Sequence, residues 1–235
     1  MTYYRYRFSF GYGLTPVIKN LMIIMGTLYF FQMFLEILQT DYATFISNWI
    51  TIHFGLVPLL VWGKYFFWQL GTYIFLHGGF SHILFNLFSL WMFGGDLENH
   101  WGSRKFLFYF LFCGIGAGLC TVVITPYQFV PVIGASGAIY GILLAFGWLF
   151  PNRLIYIYFL FPIPAKYFVA IFGLLEFFFF SRGGTRGGIA HLTHLGGLVF
   201  GLFYMAYPVI RQKIRRDYYK KKWSQKKPGG GDYYH

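Results

Sequence analysis

Polar residues that lie far apart in this chain have the types that acyl-transfer chemistry uses. Ser136 stands in the run PVIGASGAIYG, and His194 stands in AHLTHLGGLVFG. A serine hydroxyl beside an imidazole forms a nucleophile–base pair. His82 and Asn86 lie four residues apart on one helical face, and both side chains offer N–H donors to an oxyanion, together with the backbone N–H of Ser136. These residue types indicate acyl transfer if the fold brings them together.

Each of these residues also has a plain structural interpretation. Ser136 lies among Gly134, Gly137 and Gly141, and a face of small residues favours helix packing by itself. The run also differs from the G-x-S-x-G turn of soluble hydrolases, because Ala138 takes the place of the last glycine. The local sequence therefore leaves packing and catalysis open at this serine.

Two further residues are equally ambiguous when they are taken alone. His82 could cap a helix at the membrane interface rather than face an oxyanion. Tyr140 lies one turn after Ser136 on the same face, where it could be a structural aromatic or could stack on a histidine ring. The elements that position these residues must decide.

The composition predicts that membrane-spanning helices do the positioning. The 235-residue chain is 57% apolar and 11% charged, and its mean hydropathy is +0.53. Soluble domains carry about 25% charged residues. Apolar segments long enough to cross a bilayer recur, so we expect an all-α polytopic membrane protein. The predicted spans are residues 17–38, 80–97, 106–124, 134–150, 164–180 and 189–209, with an interfacial connection over residues 39–79.

The basic residues predict the orientation of these spans. The formal charge is +12. If the N-terminus is cytoplasmic, sixteen of the 19 lysines and arginines fall on the cytoplasmic side. Topology and contact with anionic lipid explain this charge without nucleic acid. We expect a cytoplasmic segment (1–16), a membrane domain (17–209) and a basic cytoplasmic tail (210–235), in the plasma or inner membrane if the source is bacterial.

This orientation places three polar residues at one depth. The second, fourth and sixth spans all start at the outer face, so His82, Ser136 and His194 lie in the outer half of the membrane. Ionisable side chains are costly within a span and are candidates for a functional site.

Glycine spacing predicts which histidine meets the serine. Counting from His194, positions i+3 and i+7 are Gly197 and Gly201, which clear one face of the sixth span. That face can cross closely over the Gly137-x-x-x-Gly141 face of the fourth span. From His191, the same offsets give His194 and Leu198, which would hold the helices apart. The spacing therefore favours His194 as the base.

Together, the motifs resemble those of a known family. The runs HGGFSHILFNLFSLWMFGG, GASGAIYG and AHLTHLGGLVFG are similar to the core motifs of the rhomboid intramembrane serine proteases, and the resemblance covers about residues 68–201. It implies a six-helix bundle, single-span membrane proteins as substrates, cut near the outer end of their helix, and no metal or other cofactor. The implied roles are nucleophile for Ser136, base for His194, oxyanion donors for His82 and Asn86, an aromatic packed on the base for Tyr140, and flanking glycines for Gly134 and Gly137.

Several positions stand apart from this resemblance. Gln69 follows Trp68 where the family has a Trp-Arg type pair, so the role of that arginine is open here. Glu98 resembles part of a polar cluster at the inner end, which we interpret as structural. The family works with a Ser–His dyad and no acid, yet Glu176 and Glu36 are membrane carboxylates without assigned partners. Glu176 could orient the base.

Other functions remain as alternatives. His82 with His194 or His191 could supply the axial ligands of a haem-binding electron carrier. A zinc protease is disfavoured because the sequence lacks H-E-x-x-H. An inactive rhomboid relative, acting as a chaperone or trafficking factor, is a further alternative, although the presence of both dyad residues argues for activity. Cys113 and Cys120 lie in an apolar stretch and are interpreted as inert thiols.

Overall fold

Helices dominate the computed structural model, which describes residues 13–157, 160–182 and 188–226. The first half contains α1 (Pro16–Leu38), α2 (Asp41–Phe54), α3 (Pro58–Lys64), α4 (Gln69–Thr72), a 3₁₀ turn (Tyr73–Phe75), α5 (Phe80–Ser89), a π turn (Leu90–Gly94) and α6 (Gly95–Trp101). The second half contains α7 (Ser103–Ile124), α8 (Ser136–Leu149), β1 (Leu154–Ile157), β2 (Phe161–Pro164), α9 (Ala165–Arg182) and α10 (Gly188–Lys226). Most of the predicted cytoplasmic N-terminal segment and the end of the predicted tail lie outside the described residues.

Length and composition alone identify fewer membrane-spanning helices among the described residues than the six predicted. Within the described residues, α1, α7 and α10 are long and apolar enough to cross a membrane. The bent pair 69–75 and 80–101 makes a fourth if it counts as one span. Helix α8 has only 14 residues, and α9 carries three charged side chains within 18 residues. The chain is an integral membrane protein, and the count of six stays a prediction.

Two predicted spans begin or continue differently from a regular helix. The second passes from α5 through the π turn into α6 without leaving a helical path. Before the fifth, the proline-containing stretch LIYIYFLFPIPAK holds an antiparallel hairpin of β1 and β2, because proline disfavours a helix interior. Helix α9 then starts at Ala165, one residue after the predicted beginning of the span.

The connection between α1 and α5 folds as short helices with exposed aromatic side chains. Tyr42, Phe45, Trp62 and Phe67 are all more than half exposed, which fits an element in the membrane interface. Gln69 fixes this connection: its Oε1 accepts from the N–H of Val57 at 2.9 Å, and its Nε2 donates to the carbonyl of Ile52 at 2.7 Å. Gln69, at the position of the family arginine, is therefore a buried side chain that joins two parts of this connection by hydrogen bonds.

Glu98 in α6 anchors the start of α1. Its carboxylate accepts from the N–H groups of Val17 and Ile18 at 3.0 and 3.1 Å, and from the hydroxyls of Thr15 and Ser103. The first N–H groups of a helix have no partner within the helix and favour an anion. The predicted structural role of this glutamate is confirmed by these contacts.

The core lies between α7, α8 and α10. Buried aromatic side chains of α7, including Phe106, Tyr109 and Phe110, pack in the centre of the cluster. The hydroxyl of Tyr109 donates to the carbonyl of Gly141 in α8 at 2.7 Å. Helix α10 continues through Pro208 to Lys226, so the predicted tail begins within a helix and not at its end.

Candidate active site

The structure brings Ser136 and His194 into hydrogen-bond contact. Ser136 is the first residue of α8, and His194 lies in the second turn of α10. The Oγ of Ser136 and the Nε2 of His194 are 2.8 Å apart, although the two residues are separated by 58 positions. This is the arrangement in which an imidazole can take the proton of a serine hydroxyl.

Glycines bring the two helices this close. A Cβ on Gly197 would overlap the carbonyl oxygen of Gly137, and a Cβ on Gly201 would lie 3.2 Å from the Cα of Gly141. The contacts advance along both helices in the same direction, so α8 and α10 run parallel. The close crossing predicted from these four glycines and from His194 is confirmed by the structure.

His82 lies against the turn that leads into Ser136. Gly134 has a φ of +121°, a backbone conformation that disfavours other residues, and a Cβ there would lie 2.6 Å from ring atoms of His82. The ring of His77 also packs on His82, with centroids 5.2 Å apart. Gly134 is therefore required both by its backbone and by the imidazole beside it.

Asn86 is buried one turn further along α5. One of its amide N–H groups donates to the carbonyl of His82 at 2.9 Å, which leaves the second amide proton for another acceptor. The backbone N–H of Ser136 is at the start of α8, where no preceding turn accepts it. His82 therefore lies beside the turn that precedes this N–H group, and Asn86 follows His82 by one turn of α5.

Tyr140 packs on the candidate base. Its ring stacks on the imidazole of His194 with centroids 4.5 Å apart and an interplanar angle of 17°. The hydroxyl of Tyr140 donates to Oε1 of Glu176, a buried carboxylate of α9. The stacking predicted for this tyrosine is present, and its hydroxyl links the site to a further helix.

Glu176 contacts both histidines of the HLTH run. Its Oε2 accepts from Nδ1 of His191 at 2.6 Å and lies 3.0 Å from Nδ1 of His194. The second contact has ion-pair distance but not the angle of a hydrogen bond, because His194 Nδ1 has no aligned partner among the described residues. Atoms of these three side chains lie within 4.8 Å of one another and could hold a metal ion. The predicted absence of a metal at this site therefore stays a prediction.

Comparisons with known proteins show which family this chain belongs to. The Rhomboid domain family matches residues 64–211. The chain belongs to the rhomboid family. It is 33% identical over 194 residues to "Rhomboid protease GluP" of Bacillus subtilis, which covers 81% of this chain. It is 30% identical over 149 residues, 60% of this chain, to "Rhomboid protein 1, mitochondrial" of Saccharomyces cerevisiae.

The chain spans less than half the length of each of those two relatives. The matched region spans 34% of the length of the Bacillus protein and 43% of that of the yeast protein. The rhomboid match begins at Lys64, so it covers the site residues from α5 to α10 but not α1 or α2. The protease activity in the Bacillus protein's name is a property of that relative.

The sequence located most of the polar residues that surround Ser136. Two features were missed: the contact of His191 with Glu176, and the packing of His77 against His82. A single carboxylate in the apolar run AIFGLLEFFFF was the available signal for the first, because a membrane carboxylate requires a partner. No spacing in the sequence indicated which partner it would have.

Proposed function

We propose that this rhomboid is a serine endopeptidase that cleaves single-span membrane proteins within or near the outer end of their transmembrane helix. The observation that carries this proposal is the 2.8 Å contact between Ser136 Oγ and His194 Nε2. The imidazole is held for this contact by the stacked ring of Tyr140. Membership of the rhomboid family supports the same chemistry, because relatives of this chain in that family are named proteases.

The proposed reaction proceeds through an acyl-enzyme. Ser136 Oγ attacks the carbonyl carbon of the scissile peptide while its proton passes to Nε2 of His194. The resulting oxyanion accepts from the N–H of Ser136 and from the side chains of His82 and Asn86. The protonated imidazole then gives its proton to the leaving amine, the C–N bond breaks, and water hydrolyses the ester through the same base.

The dimensions of α8 support cleavage within the membrane. At 1.5 Å per residue, the 14 residues of this helix span about 21 Å, which is less than the roughly 30 Å of a hydrocarbon core. Ser136 at its first turn would then lie below the membrane surface. We also propose six spans with both termini cytoplasmic, as the positions of the basic residues predict.

The substrate must lose helical structure to reach Ser136. A transmembrane helix hides its carbonyl groups in internal hydrogen bonds. The proposal therefore favours substrates with a helix-relaxing sequence and a small residue at the cut.

The contacts of His194 disfavour the haem-carrier alternative that uses this histidine. Both ring nitrogens of His194 lie within 3.0 Å of protein atoms, those of Ser136 and Glu176. His191 is bound to the same glutamate. His194 therefore presents no free nitrogen to an iron without rearrangement, which disfavours its pairing with His82 as axial ligands.

The cleavage site of a single-span reporter tests the proposal. Purified protein in liposomes should cut the reporter inside or next to its transmembrane segment, as read by mass spectrometry of the products. Ser136→Ala should leave the reporter intact. Products cut only in the soluble loops of the reporter, or equal cleavage by Ser136→Ala, would count against the proposal.

A further inference from the structure

We propose that Glu176 is a positioning residue that holds the imidazole of His194 and supplies its counter-charge during the reaction. This inference rests on the proposed function and adds a carboxylate to the Ser–His pair. Glu176 belongs to α9, whereas Ser136 and His194 belong to α8 and α10. The site then includes a residue from a third helix of the second half of the chain.

Three side chains converge on this one carboxylate. Oε1 binds the hydroxyl of Tyr140, and Oε2 faces Nδ1 of both His191 and His194. A carboxylate can accept up to about four hydrogen bonds, so these contacts are compatible with one another. Tyr140 stacks on His194, and His191 stacks on Phe179. These contacts therefore fix the position of the Glu176 carboxylate beside the imidazole of His194.

The geometry at His194 suits a role in the reaction more than in the resting protein. Nδ1 of His194 is buried and lies 3.0 Å from Oε2, but the aligned hydrogen bond in the resting structure is the one from His191. Catalytic contacts of unliganded proteins are often poorly aligned and tighten in the reacting complex. When the Ser136 proton moves to Nε2, Nδ1–H belongs to an imidazolium, and the nearby carboxylate stabilises that charge.

Glu176 also connects the packing of α9 to the base. Among the eighteen residues of α9, the buried ones are Ala165 at its beginning and Glu176 near its end. The neighbouring Phe177, Phe178 and Phe179 are exposed by 44 to 61%. Glu176 therefore joins this end of α9 to α10, together with the ring of Phe179 stacked on His191, and a shift of the helix would withdraw the carboxylate from His194.

Glu176→Gln tests the proposal, because the amide keeps the size of the side chain and removes its charge. We expect kcat for the single-span reporter to fall about 10- to 100-fold, as for the loss of a charge-assisted hydrogen bond, with little change in KM. Glu176→Asp keeps the charge and should recover part of kcat. The matched control is Glu36→Gln, which neutralises an exposed carboxylate of α1 and should leave kcat unchanged.

A spectroscopic measurement decides the case if Glu176→Gln does not fold. In the wild-type protein with a phosphonate adduct on Ser136, which mimics the charged intermediate, the Nδ1 proton of His194 should give a far-downfield NMR resonance caused by the adjacent carboxylate. A resonance of this adduct at the position of an unpaired histidine would overturn the proposal. So would a kcat of folded Glu176→Gln within about twofold of wild type, or a change confined to KM.

The proposed function and this inference fail separately. If Ser136→Ala abolishes cleavage and folded Glu176→Gln keeps the wild-type kcat, the dyad stands and the role of Glu176 is wrong. If Ser136→Ala cleaves like wild type, the proposed function itself is wrong.

Discussion

At the scale of single residues, the two histidines of the HLTH run have different surroundings. His194 contacts Ser136 and lies under the ring of Tyr140, whereas His191 bonds to Glu176 and stacks on Phe179. They differ by three residues, which is about 4.5 Å along the helix axis. This displacement places His194 beside Ser136, as a candidate base, and leaves His191 in contact with Glu176 instead.

Substitution of the two histidines should therefore have unequal effects. We expect His194→Ala to abolish cleavage of the single-span reporter, because it removes the group that accepts the Ser136 proton. His191→Ala should keep measurable activity, since Glu176 retains its contacts with Tyr140 and His194. Rates of reporter cleavage measure both variants. A reversed order of activity would mean that α10 is misplaced by one turn.

The oxyanion donors should affect the rate more than binding. We expect His82→Ala or Asn86→Ala to lower kcat by about 10²–10³, because these donors act on charge that develops only in the transition state. The loss should be partial, since the backbone N–H of Ser136 remains. Steady-state kinetics with the reporter separate kcat from KM. A defect confined to KM in both variants would contradict the assignment.

At the scale of the elements, glycine register made the site predictable. Gly197 and Gly201 follow His194 at i+3 and i+7, and their missing Cβ atoms allow α10 to approach α8. Helix α9 gave no comparable signal, because its apolar residues surround it on all sides and leave its rotation undefined. The contacts of Glu176 with Tyr140 and His191 therefore required the structure.

Gly197→Ala should destabilise the protein by about 1–3 kcal/mol, as expected for overpacking. Its Cβ would overlap the carbonyl of Gly137. The matched control is Gly26→Ala in α1, where a Cβ meets nothing within 4 Å and alanine gains about 1 kcal/mol of helix propensity. Thermal unfolding in detergent compares the two. Equal Tm values for the two variants would contradict the close crossing.

At the scale of the whole molecule, composition predicted a polytopic helical membrane protein, and the motifs around His82, Ser136 and His194 carried the resemblance to the rhomboid family. It did not predict the hairpin of β1 and β2, the π turn before α6, or the continuation of α10 into the basic tail. The prolines before α9 predicted a break in the helix but not the pairing of two strands. The tail continues the helix because Arg, Lys and Gln are good helix formers, although their charge marks the end of the apolar span.

The reactivity of Ser136 tests the central claim most directly. A fluorophosphonate probe should label the wild-type protein at Ser136, as mapped by mass spectrometry, because only an activated serine reacts readily. Neither Ser136→Ala nor His194→Ala should be labelled. Thermal unfolding transitions should show that both variants are folded. Labelling of Ser136→Ala at the wild-type level, or of another residue in the wild-type protein, would contradict the assignment of Ser136 as the nucleophile.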